Sequence, residues 1–165
     1  MSRFDSPKKA SFLSGIPTAS IENLDCPLTK RSKFNFSYFE KQSASQNFDE
    51  WTPDQLGGLL KKLRDYSRES LSHWTTMPIG KSGTVLSIYG AFPTRSEMTH
   101  PKHVPHQAQW GRFRLDWARR LCGFVVPKSV DGNEHPGTKL RFDANTFYVV
   151  FLDRDHQFYK GKEEK

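Results

Sequence analysis

The residues of this chain best suited to chemistry are cationic and protic, and they cluster in its last third. Arg112 and Arg114 alternate with Phe113 and Leu115, Arg119 and Arg120 follow at a reversal, and Arg154, His156, Tyr159 and Lys160 come after a long apolar run. A guanidinium grips phosphate through two parallel hydrogen bonds, and an imidazole with a pKa near 6.5 exchanges its proton at neutral pH. This set therefore has the makings of a site that binds RNA and cuts it. In metal-free cleavage a base removes the 2′-hydroxyl proton, an acid protonates the leaving 5′-oxygen, and cations stabilise the charge gathering on phosphorus. His156 and His103 are the acid and base candidates, Arg114 and Arg120 the charge stabilisers, and Tyr159 a stacking or proton-donating partner. Arg112, Arg119, Arg154 and Lys160 are the expected nucleic-acid contacts. The competing reading is that charges beside strands form an ordinary solvated face.

Other groupings carry less. His100, His103 and His106 recur at three-residue spacing, but Pro101 and Pro105 force an extended path that fans the rings apart, and Lys102 adds positive charge beside them. No metal is expected there, nor at Asp153, Asp155 and His156, where two aspartates in a turn more often cap their own backbone. Gly80-Lys81-Ser82 resembles part of a phosphate loop, yet position 75 is Thr where the motif needs Gly, and the run precedes a strand when it should follow one. A loop leading into a strand is the better reading. Cys26 and Cys122 are too few for a disulfide framework or a cysteine-zinc site. No cofactor is expected.

The elements that must position the cations are legible in part. Thr52-Pro53-Asp54-Gln55 predicts a capped helix start, and Leu56, Leu59, Leu60 and Leu63 recur on one helical face behind it. The Gly57-Gly58 pair weakens that helix and marks an expected close approach to a sheet. Trp110 to Leu115 predicts a strand with apolar side chains on one face and both guanidiniums on the other, because side chains alternate along a strand. After a reversal at Asp116 to Arg119, Leu121 to Val126 is apolar throughout and ends at Pro127. Thr146 to Leu152 is the strongest strand and is expected at the centre of the sheet. Phe158-Tyr159 is expected to return as a short strand. These features predict an α+β fold: an antiparallel sheet of four to five strands with one or more packed helices.

With 165 residues, a net charge of +7 and 35% hydrophobic residues, the chain fits one modest domain with a polar extension. Residues 1–47 are rich in Ser, Lys and Pro and read as a basic, largely flexible arm, with disorder favoured before residue 33. Residues 48–165 form the expected single domain. Phe34, Phe36, Tyr38 and Phe39 complicate that boundary, since alternating aromatics also make an edge strand. No apolar run approaches the roughly 18 residues that cross a bilayer, and the first residues lack the apolar core of a signal peptide. No membrane partner and a cytoplasmic location are expected.

The order of a leucine-rich helix, then Gly111-Arg112-Phe113-Arg114-Leu115, Arg120-Leu121-Cys122-Gly123-Phe124-Val125-Val126 and Phe147 through His156 resembles the helix-then-antiparallel-sheet plan of the RelE/ParE-type bacterial toxins. The likeness is one of pattern and spans residues 52–160. It implies messenger RNA cleavage at the ribosome, inhibition by a cognate protein partner of acidic character, and no cofactor. Arg112, Arg114, Arg120, His156 and Tyr159 are the positions it carries over. The leading reading is thus a small basic, RNA-directed protein acting as a toxin-like, metal-independent endoribonuclease. The alternative is a non-catalytic module that binds nucleic acid or an acidic protein. A metal-dependent hydrolase using the histidine cluster would respond to EDTA in the opposite way.

Overall fold

The computed structural model describes residues 6–161. Residues 1–5 and 162–165, which include Arg3 of the arm and most of the charged end, lie outside the described residues. The elements run α1 (Pro7–Ser14), β1 (Lys33–Asn35), α2 (Pro53–Tyr66), α3 (Leu71–Thr76), β2 (Leu86–Gly90), β3 (Gln109–Asp116), β4 (Arg119–Val125) and β5 (Thr146–Asp153), with single 3-10 turns at Phe48–Glu50 and Lys128–Val130. The strands form one sheet in the order β1-β5-β4-β3-β2. The fold is α+β, as the pattern of elements predicts. Four strands pair antiparallel, whereas β1 joins β5 in parallel. β5 is interior, as expected, although β4 occupies the middle position.

The helix start is the one the sequence encodes. Thr52 accepts from the Gln55 amide and Gln55 reaches back to the Thr52 amide, so two donors that the first turn would leave unpaired are satisfied reciprocally. Leu59 and Tyr66 are buried, with Leu56 and Leu63 beside them, against Phe113, Leu115, Leu121, Phe147 and Leu152 of the sheet. Leu60 departs from the expected stripe and is 65% exposed. Gly57 and Gly58 also depart from expectation, because a Cβ at either position would meet nothing within 4 Å. Close approach is not their role. Gly58→Ala should therefore stabilise the protein by about 0.5–1 kcal/mol, raising Tm by about 1–4 °C. A Tm unchanged or lowered in calorimetry would show that the helix needs the glycine.

The expected boundary at residue 47 does not match where the sheet begins. Lys33, Phe34 and Asn35 pair with Thr146, Phe147 and Tyr148. The Glu40 and Gln46 amides then donate to the Val150 and Leu152 carbonyls at 2.9 and 3.1 Å. The reason is aromatic burial. Phe34 packs on Phe113 and Phe147 under the helices, and Tyr38 packs edge-on against Phe124 and Tyr148 on the opposite face. Residues 6–31, by contrast, bury almost nothing, and Phe12, Ile21 and Leu24 stand exposed.

Candidate functional site

Strand register builds the site row by row on the sheet face away from α2. Arg114 lies opposite Arg120, which lies opposite Asp153; in the next row Arg112 lies opposite Cys122, and Cys122 opposite Phe151; then come Trp110, Phe124 and Tyr148. Alternation sends Phe113, Leu115 and Leu121 into the helix-side core and the three arginines to the other face. The apolar members of the last two rows, Cys122, Phe151, Trp110, Phe124 and Tyr148, pack with Met98, Val104 and Phe158 into a second apolar cluster. The arginines therefore sit at one end of an otherwise apolar face.

The chain after β5 delivers the histidine. Asp153 is fully buried, and its two carboxylate oxygens accept from the Gln157 and Phe158 amides, both at 2.9 Å. This closes a tight turn with His156 at φ 59, a left-handed conformation that a non-glycine residue adopts at a cost. Phe158 drops into the core, so the expected strand at Phe158-Tyr159 is replaced by a turn. His156 Nε2 meets Arg112 Nη1 in a short contact, which assigns the donor to the guanidinium and leaves the imidazole as acceptor. Burial, then the charges of Arg112 and Arg120, hold the His156 pKa below its usual value. The ring is neutral at pH 7.

Two tyrosines complete the site. Tyr89 and Tyr159 stack with centroids 4.5 Å apart, and the Arg112 guanidinium lies 5.8 and 5.5 Å from their ring centres. Ser87 lies opposite Arg112, and alternation along β2 brings Tyr89 to the same face. Its hydroxyl is buried without a hydrogen-bond partner among the described residues, while Tyr159 is 37% exposed at the rim.

Charge is poorly compensated here. Arg114 donates to the Ile79 carbonyl at 3.3 Å, and Arg120 donates to the carbonyls of Trp117 and Arg119 at 2.7 and 2.9 Å. Among the described residues, none of Arg112, Arg114 and Arg120 forms an ion pair with a carboxylate. Arg120 is only 5% exposed, its Nε has no hydrogen-bond partner among the described residues, and burial together with the charges of Arg112 and Arg114 pushes its pKa down. The buried Asp153 carboxylate, opposite Arg120, offsets only part of this charge, and the excess of cations can receive an anion. Cys122 lies among them with its thiol pushed up by burial, which keeps it unreactive.

Of the residues expected in the site, Arg112, Arg114, Arg120, His156 and Tyr159 come together, and four do not. Arg119 turns to the helix side, paired with Asp116 and lying over Trp51. Arg154 bonds the Glu50 carbonyl and pairs with Asp155. Lys160 pairs with Glu97. His103 stacks on Tyr38 and sits 3.4 Å from Glu40, while His100 packs on Phe92 and Trp110, so those rings occupy separate surroundings. Tyr89 and Asp153 are the members that the sequence reading did not place in the site. A cavity of about 550 Å³ lined by Leu71, Thr75, Leu86, Ile88, Val125 and Lys128 contains none of the arginines.

Fold and site together define an α+β protein with an anion-receptive sheet face that holds a neutral imidazole. Comparison with protein-family models, curated proteins and solved structures finds no match for the chain. Among the described residues, no helix is long and apolar enough to cross a membrane.

Proposed function

We propose that the protein is a metal-independent endoribonuclease of toxin type, similar in plan to the RelE/ParE toxins. The observation that carries this reading is the grouping of three guanidiniums lacking carboxylate partners with a neutral histidine and a rim tyrosine on one face. His156 acts as the base that takes the 2′-hydroxyl proton. The 2′-oxygen then bonds to phosphorus as the bond to the 5′-oxygen breaks. That oxygen receives a proton from the Tyr159 hydroxyl, leaving a 2′,3′-cyclic phosphate and a free 5′-hydroxyl. Arg112, Arg114 and Arg120 stabilise the charge on the phosphoryl oxygens, which develops where preorganised donors already point. The substrate is single-stranded RNA, with messenger RNA at the ribosome as the cytoplasmic target and an acidic inhibitor protein as the natural counterpart of this basic face.

A non-catalytic binding module is the second reading. The observation favouring it is that Arg112 occupies His156 Nε2, the atom a base would use. Labelled RNA incubated with the protein in EDTA separates the two. The expected result is cleavage with a cyclic-phosphate end, reduced about 10²- to 10⁴-fold in His156→Ala. Retention of intact RNA by the wild-type protein would leave only the binding module.

A further inference from the structure

The arginine row does not end at Arg114. Pro78 and Thr84 bridge across a tight hairpin, closed by the Ile79 amide on the Gly83 carbonyl at 3.1 Å and the Val85 amide on the Met77 carbonyl at 3.0 Å. Between them Gly80 and Gly83 take φ of 69° and 110°, conformations that favour glycine. The amides of Gly80, Lys81, Ser82 and Gly83 have no partner among the described residues, and neither do the exposed side chains of Lys81 and Ser82. Successive free amides in a turn with mixed-handed backbone form a concavity that holds anions. This turn also touches the site. Arg114 Nη1 donates to the Ile79 carbonyl, and a Cβ on Gly80 would come within 3.0 Å of that same nitrogen. A side chain at position 80 would thus fill the space between loop and guanidinium.

We propose that the loop Gly80–Gly83 is a second phosphate subsite, which takes the phosphate adjacent along the RNA chain to the one held at Arg112, Arg114 and His156. It rests on reading the arginine row as an RNA site, and it names the substrate more closely as a strand carrying at least two successive phosphates. Lys81 supplies the charge, the free amides supply directed donors, and Arg114 is shared between the two subsites. Arg114 lies two residues beyond Arg112 on β3, an advance of about 6.5–7 Å, so the row runs toward the loop as a track for a backbone. This use of Gly-Lys-Ser differs from nucleotide binding by a P-loop, which would place the motif between a strand and a helix.

The test is binding of a 2′-O-methyl trinucleotide, which lacks the attacking hydroxyl and carries two internal phosphates. Lys81→Ala should bind it about 5- to 10-fold more weakly at about 50 mM salt, with the slope of log affinity against log salt falling by about 0.7. Ser82→Asp, which places a carboxylate in the cradle, should lose more. Replacing one of the two linkages by an uncharged methylphosphonate should make Lys81→Ala silent at one position and not the other. Unchanged affinity in Lys81→Ala, or an equal loss with all three ligands, would overturn the subsite. Cleavage of ordinary RNA by the wild-type protein, measured alongside, judges the ribonuclease reading separately. If Arg114→Ala also leaves trinucleotide binding unchanged, both fall together.

Discussion

Arg112→Ala should cut RNA about 10²- to 10³-fold more slowly than the wild-type protein, the loss expected when one preorganised donor to a developing charge is removed. Arg112 is the residue that joins the parts of the site. Its guanidinium lies over both tyrosine rings and meets His156 Nε2. The same substitution should move the histidine. Burial is the largest cause of the low His156 pKa, and the Arg112 charge is the next. Removing that charge favours the imidazolium, so the pKa rises toward its ordinary value near 6.5. The acid limb of the pH–rate profile should therefore shift to higher pH, because a base is inactive once protonated. Arg112→Lys should restore much of the depressed pKa, but less of the rate, since an ammonium lacks the planar fork. A histidine titration followed by NMR that does not shift in Arg112→Ala would contradict the assigned contact.

Gly123→Ala should not yield a stable fold. A Cβ there would lie 2.0 Å from the Tyr148 carbonyl oxygen and 2.9 Å from its carbon, both backbone atoms of β5, and 3.0 Å from a ring carbon of Phe147. No side-chain rotation relieves a clash with backbone. The strands must part, at the point where Gly123 pairs with Val149 and the register shifts by one residue. That pairing sets Arg120 against Asp153 and Cys122 against Phe151, so the loss reaches the site as well as the core. A cost above about 4 kcal/mol is expected, read as insoluble protein or a large fall in the urea midpoint. Gly132→Leu is not a fair control because of its positive φ, whereas Gly58→Ala is, having open space and a helical backbone. A Gly123→Ala protein with the wild-type midpoint would refute the close approach.

The sequence reveals most where one period governs a whole element. Alternation through Arg112, Phe113, Arg114 and Leu115 places the guanidiniums on one face without any knowledge of neighbours. The capping box at Thr52 likewise fixes the start of α2. It misleads where one residue of offset decides the outcome. Arg119 and Arg120 are adjacent, so strand geometry sends them to opposite faces, and only Arg120 reaches the site. Alternation from Leu86 does place Tyr89 on the face of Ser87, but only the pairing of Ser87 with Arg112 shows that this is the face of the guanidiniums. His103 lies in a proline-bearing loop whose path carries no period, and Glu40 and Tyr38 claim it. The strand at Lys33–Asn35 is only three residues long and lies in polar surroundings, so its aromatic content gives the sole hint of pairing.

The parallel pairing of β1 with β5 sets a schedule for biosynthesis. Lys33 finds Asp143, its ion-pair partner, 110 residues further along the chain. At ribosomal rates of about 5–20 residues per second, the early strand waits roughly 5 to 20 s for that neighbour to be made. The turn that carries His156 follows still later. A nascent copy still being translated thus lacks both the closed sheet and the turn that brings His156 against Arg112.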